Sequence, residues 1–229
     1  MIFGAVFDTF SFHAHRLRVF LSVTVLTLLP GVLAGYLLGS FPTAYLLLRR
    51  RARLDIRRAG SGNVGALNSY EVSGSAAIGL VVLLVDCLKG CAVVLVVRHA
   101  GGGGFAGEAA SGIGAVLGHA YPCWIGFKGG RGLATAAGSA LVLGPWVVPG
   151  WGVLWGAGYA LFREVNTASA CASGLGLVFM LAAPESWVRA AVPAGVPPGE
   201  FRIFLMCILG VILTRLAGPV AARARGVRQ

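Results

Sequence analysis

In 229 residues the chain carries 57% hydrophobic and only 12% charged side chains, with a mean hydropathy of +0.81. A soluble domain averages about 25% charged, so the composition excludes a soluble core with a tail and fits one membrane domain of several spans. The formal net charge of +11 rests on 17 Arg and 2 Lys. No basic stripe interleaved with aromatics lies on a polar background, which sets nucleic acid aside and leaves anionic lipid and an anionic substrate as partners.

Residues 1–19 read as an N-terminal extension, with Arg16 and Arg18 ahead of an apolar run. That run is too long for a signal peptide and lacks a small-residue cleavage site, so an uncleaved first span is expected. Residues 20–218 read as a single all-α membrane domain and 219–229 as a basic tail. The apolar segments 20–48, 75–97, 105–124, 132–146, 150–162, 166–183 and 201–218 predict about seven transmembrane helices. Pro145, Pro149 and Gly150 divide residues 132–162 into a hairpin whose halves are short for full spans, so five full spans plus a re-entrant hairpin is the alternative.

Seven crossings place thirteen cations on one side, including Arg49 to Arg51, Arg57, Arg58, Lys128, Arg131, Arg163 and Arg215. Five lie opposite: Arg16, Arg18, Arg98, Arg189 and Arg202. The positive-inside rule therefore predicts the N-terminus outside and the C-terminus in the cytoplasm.

Three unusual segments fall on that cationic side. Gly60-Ser61-Gly62-Asn63-Val64-Gly65-Ala66-Leu67-Asn68 is a tight loop able to offer backbone N–H, hydroxyl and amide donors to an oxyanion. Phe127-Lys128-Gly129-Gly130-Arg131-Gly132, reached through Gly118-His119-Ala120-Tyr121-Pro122, sets a glycine turn and two cations against an apolar helix. Such a turn reads either as a phosphate nest or as a surface turn with solvated cations. Arg163-Glu164-Val165-Asn166-Thr167-Ala168-Ser169 opens a span, with Asn166 or Thr167 as a capping residue and a helix N-terminus suited to phosphate. Asp86 and Lys89, i and i+3 within the second span, are expected to pair inside the bundle. The five cysteines form no C-x-x-C pair and His13 and His15 lie far from any carboxylate cluster, so no metal and no cofactor is expected.

Together these blocks resemble the bacterial membrane acyl-phosphate:glycerol-3-phosphate acyltransferases, the PlsY family. The resemblance covers residues 35–170. It runs from Gly35-Tyr36-Leu37-Leu38-Gly39-Ser40-Phe41-Pro42 through Asp55-Ile56-Arg57 and the loop 60–68. It continues with Asp86-Cys87-Leu88-Lys89-Gly90 and with residues 118–122 and 127–135. The resemblance implies a multi-pass protein of the bacterial inner membrane that moves an acyl group from acyl phosphate to the 1-hydroxyl of glycerol 3-phosphate. The products would be lysophosphatidate and phosphate.

Carried onto this chain, it assigns phosphate binding to Gly62, Asn63, Asn68, Lys128, Gly129, Gly130, Arg131, Gly132 and Arg163. Ser61, His119, Asn166 and Ser169 make up the catalytic set: Asn166 and Ser169 would orient the glycerol hydroxyl, Ser61 would help hold phosphate with its loop, and His119 is the candidate base. A substrate phosphate is the alternative proton acceptor. The chain departs from the family pattern at Leu67, at Arg131 in place of Lys, at Asn166-Thr167, and in lacking His and Asn before Arg215. Above all, Glu71 stands where Arg is usual. A paralogue acylating another hydroxyl or amine, or a transporter or scaffold with a relict phosphate site, are the competing readings. No histidine begins an H-x4-D pair, which argues against acyltransferases of that class.

Overall fold

A computed structural model describes residue 25 and residues 28–226, and this part is helical throughout its regular structure. The extension 1–19 and the beginning of the first apolar segment lie outside the described residues. Helix α1 covers residues 28–39 and α2 Thr43–Arg51. They are followed by α3 (Ala66–Ser73), α4 (Ala76–His99), α5 (Gly104–Ala120) and α6 (Leu133–Leu143). The chain then forms α7 (Val147–Phe162), α8 (Val165–Ala182), α9 (Glu185–Ala191) and α10 (Pro198–Ala224).

Four stretches are long and apolar enough to cross a membrane: Leu28–Arg51, Ala76–His99, Val165–Ala182 and Pro198–Ala224. The expected segment 20–48 is not one straight helix. It breaks at residues 40–42, where Pro42 has no N–H to continue the ladder. Of the expected breakers only Pro145 lies in the turn between α6 and α7, at residues 144–146. Pro149 and Gly150 fall in the first turn of α7, where a missing N–H costs nothing.

Close approach of backbones holds the bundle together. Gly31, Gly35 and Gly39 recur every fourth residue along α1. A Cβ on Gly35 would overlap the Ser111 carbonyl oxygen of α5, and one on Gly39 that of Ala115. The fit is reciprocal, since Gly114 and Gly118 of α5 lie equally close to the carbonyls of Val32 and Tyr36. Gly90 and Gly138 join α4 to α6 in the same way. Lipid tails are as apolar as leucine, so this small-residue contact supplies the association that a hydrophobic effect supplies in water. α10 adds a packed apolar face, Phe201, Phe204, Leu205, Ile208, Ile212 and Leu216, all buried against α5 and its neighbours.

The end of the bundle away from the glycine turn is fastened by ion and carbonyl contacts. Arg98 bridges to Glu108 at 2.7 Å, and Arg202 donates to the carbonyls of Met180 and Ala183 at 2.7 and 2.8 Å. α7 differs from every other long helix, because none of its residues is buried. It hangs on α8, with Trp151 Nε1 donating to Ser173 Oγ and Trp155 Nε1 to Ser169 Oγ, each at 3.2 Å.

Gly35→Leu is expected to cost at least about 3 kcal/mol, because the clash is with backbone that cannot repack. Gly174→Ala, where a Cβ meets nothing within 4 Å, should be neutral or slightly stabilising. Thermal unfolding of the two purified variants in detergent separates them. Equal midpoints would remove the glycine contact from its place in the fold.

Candidate active site

At one end of the bundle the loop 59–65, the glycine turn, the α7–α8 junction and the last turn of α10 surround an open cleft of about 700 Å³. Ser61, Asn68, Glu71, Arg131, Arg163 and Asn166 line it, so it gathers residues from all three unusual segments.

The loop 59–65 keeps its shape through Asn68, which is buried. Its Nδ2 donates to the carbonyls of Ala59 and Asn63 at 3.1 and 2.9 Å, and its Oδ1 accepts the Ser61 N–H at 3.1 Å. Gly60 and Gly62 take positive φ (56° and 70°), which only glycine adopts without strain. The amide of Asn68 is therefore spent on the loop, where it holds the exposed Ser61 at the cleft wall.

The glycine turn is pinned from behind. The Gly130 N–H donates to the His119 carbonyl at 3.1 Å. Arg215 donates to the carbonyls of Gly130 and Gly129 at 3.2 and 3.0 Å while its guanidinium lies 5.1 Å from the Tyr121 ring. A Cβ on Gly129 would overlap the His119 carbonyl, and one on Gly130 the His119 ring. Both glycines are thus required by packing, and the Gly130 N–H, spent on His119, is not open to an anion. Gly132, with φ 85°, starts α6. The pinned turn sends Arg131 into the cleft, whereas Lys128 is exposed and lies outside the cleft's lining. Burial pulls the Arg131 guanidinium below its ordinary value, against the attraction of Glu164 and Glu71.

His119 occupies a separate, minute chamber of about 10 Å³ behind the turn, with Asp86, Lys89 and Thr43. Asp86 Oδ1 accepts from Thr43 Oγ1 at 3.1 Å and faces Lys89 Nζ at 2.9 Å. Lys89 also donates to the Phe41 carbonyl at 3.2 Å, and His119 Nδ1 stands 3.7 Å from the same carboxylate oxygen. The i, i+3 pair faces inward as the spacing predicts. His119 does not line the cleft, so the geometry makes it a support for the turn rather than a base at the acceptor.

At the start of α8 the cap is Glu164, not Asn166 or Thr167. Its carboxylate accepts the N–H groups of Asn166 and Thr167 at 2.8 and 2.6 Å and the Thr167 hydroxyl at 2.7 Å. Burial pushes this carboxyl up, but those hydrogen bonds and the Arg223 charge outweigh it and hold it below its ordinary value. The helix N-terminus is thus already occupied by an internal anion. Asn166 Oδ1 is buried at the cleft without a partner. Ser169 does not reach the cleft, because its hydroxyl donates to the Val165 carbonyl at 2.7 Å and accepts from Trp155.

Sequence reasoning missed the roles of three polar cleft residues, Tyr159, Glu164 and Arg223. Glu164 is flagged in hindsight by an acid directly before the polar start of a span. Arg223 also lines the cleft. Gly218-Pro219 mark an apparent helix end, yet the helix continues through Ala221 and Ala222 to Ala224.

Comparison with known proteins places the chain in a family. The family described as glycerol-3-phosphate acyltransferase matches residues 29–220. A glycerol-3-phosphate acyltransferase of Mesorhizobium japonicum is 40% identical over 162 residues, 69% of this chain and 80% of that protein. One of Myxococcus xanthus is 41% identical over 189 residues, 81% of this chain and 94% of the relative. The crystal structure of PlsY (YgiH), an integral membrane glycerol 3-phosphate acyltransferase in its glycerol 3-phosphate form, superposes with a TM-score of 0.72. It is 28% identical, and the match covers 88% of this chain and 94% of that one.

Arg163 takes a left-handed backbone (φ 53°), an uncommon conformation for a residue with a Cβ. Arg163→Gly should therefore hold or raise stability, by up to about 1 kcal/mol, while weakening binding of an anionic ligand about tenfold. Thermal unfolding and ligand titration on the same sample check both. A variant that binds as tightly as the parent would place the guanidinium outside the ligand's reach.

Proposed function

The chain belongs to the glycerol-3-phosphate acyltransferase family and acylates glycerol 3-phosphate in phospholipid synthesis, and we propose that it does so in this cleft with an acyl phosphate as donor. The observation that carries the proposal is the division of labour among the cations. Arg57, Arg98, Arg202 and Arg215 are each committed to a carboxylate or to carbonyls. Arg131 and Arg163 make no hydrogen bond or ion pair among the described residues and line the cleft. Guanidinium forks without a protein partner suit a phosphate, which they bind in a bidentate fashion.

In the proposed reaction these two arginines hold the acceptor phosphate. Ser61 and Asn166 orient the glycerol, Asn166 Oδ1 accepting from a hydroxyl. The 1-hydroxyl oxygen attacks the acyl carbonyl carbon. The new ester C–O bond forms as the carbonyl carbon's bond to the phosphate oxygen breaks, and phosphate departs with the electron pair. The hydroxyl proton passes to a phosphate oxygen, so no side-chain base is needed. The mixed anhydride supplies the driving force, and the protein contributes positioning and relief of anion repulsion.

An apolar groove of about 230 Å³ begins at Leu133, directly after Gly132, and runs between α6, α7 and α10 past Ala140, Trp151 and Leu205. It offers the acyl chain a path from the lipid to the polar end. The cation count favours a cytoplasmic cleft with the N-terminus outside. The short helices α5 to α7 complete a seven-crossing arrangement, and the inner membrane is the proposed location.

Purified protein given palmitoyl phosphate and glycerol 3-phosphate should release phosphate and form lysophosphatidate in equal amounts. Equally fast acylation of glycerol would remove the phosphate from acceptor recognition. Sidedness is checked in a background lacking the native cysteines. Ser61→Cys should react with an impermeant maleimide only when the cytoplasmic face is open, and Trp187→Cys from outside. The reverse pattern inverts the topology.

A further inference from the structure

Three arginines meet in the cleft from three directions: Arg131 from the glycine turn, Arg163 from the α7–α8 junction and Arg223 from the last turn of α10. None of the three makes a hydrogen bond or ion pair within 4 Å among the described residues, although Glu71 and Glu164 share the same walls. Glu164 is spent on the α8 cap and Glu71 is exposed to the cleft. Pro219 and Gly226 line the cleft as well, so the α10 terminus forms one of its sides.

Charge decides what this wall must do. Arg131 and Arg163 alone would face two carboxylates, a neutral cleft with no net attraction for a phosphate dianion. Arg223 tips the balance to one net positive charge. We propose that Arg223 is a phosphate-binding residue of the acceptor site, which makes residues 219–226 a wall of that site rather than a basic tail. This rests on the reading of the cleft as the glycerol 3-phosphate site. Glu71 sets how much cation the site needs, because its carboxylate opposes the incoming dianion and leaves Arg223 to offset it.

The test uses full-length protein in detergent, titrated calorimetrically with inorganic phosphate and with glycerol 3-phosphate, beside steady-state assays. Arg223→Gln should weaken both ligands at least tenfold and raise KM for glycerol 3-phosphate by more than it lowers kcat. Arg223→Lys, which keeps the charge and loses the bidentate fork, should fall between. Adding Glu71→Gln to Arg223→Gln restores the net charge and should recover most of the lost affinity. A merely structural arginine would lower the melting temperature and would not be rescued in this way. Should Arg223→Gln misfold, Arg223→Lys and Glu71→Gln decide: a weakened lysine variant with a tightened Glu71→Gln upholds the proposal. Phosphate affinity within twofold of the parent in Arg223→Gln, or in both of those variants, overturns it. Parent protein that binds phosphate through Arg223 yet fails to acylate glycerol 3-phosphate would leave the inference standing and remove the acceptor assignment instead.

Discussion

A carboxylate placed inside a membrane bundle has to find partners, and Asp86 finds them on its own helix and on two others. Thr43 comes from the start of α2, Lys89 from the next turn of α4, and His119 from the end of α5. Removing one member of such a buried group costs about 3–5 kcal/mol, because the charge left behind has no water to turn to. The group fixes where the first apolar segment breaks, since Lys89 also holds the Phe41 carbonyl exposed by that break. It fixes His119 too, whose carbonyl holds Gly130 and whose ring leaves no space for a Cβ there. The direction in which Arg131 points is thus set by a charge that never enters the cleft.

Polar and apolar requirements meet within two residues. Gly132 ends a turn whose neighbour Arg131 faces the cleft, and Leu133 opens the apolar groove. A substrate with a charged head and a hydrocarbon tail needs such a junction. The bundle makes it by starting a helix there, without inserting an extra loop into the lipid.

Hydropathy and spacing made much of the fold legible. The inward Asp86–Lys89 pair followed from the cost of a charge in lipid, and the apolar runs correspond to helices. What escaped depended on backbone contacts that no side-chain pattern records. The break at residues 40–42 falls at Pro42 inside a largely apolar run, and its exact place is set by the Phe41 carbonyl held on Lys89. Gly129 and Gly130 look like an anion nest, and the structure adds a packing reason for both, the His119 carbonyl and ring behind them. Ser169 and Asn68 carry the right functional groups, and only the structure shows those groups already satisfied by Trp155, Val165 and the loop carbonyls. Arg223 was hidden by Gly218-Pro219, which end many helices and here do not.

α7 has no buried residue and packs mainly along α8, with two indole-to-hydroxyl hydrogen bonds between them, yet it forms a side of the apolar groove and brings Tyr159 to the cleft. On that side a single helix separates the groove from the surrounding hydrocarbon. An amphiphile formed behind such a helix can slide sideways into one leaflet, head at the surface and tail among the lipids, without its chain ever being wetted.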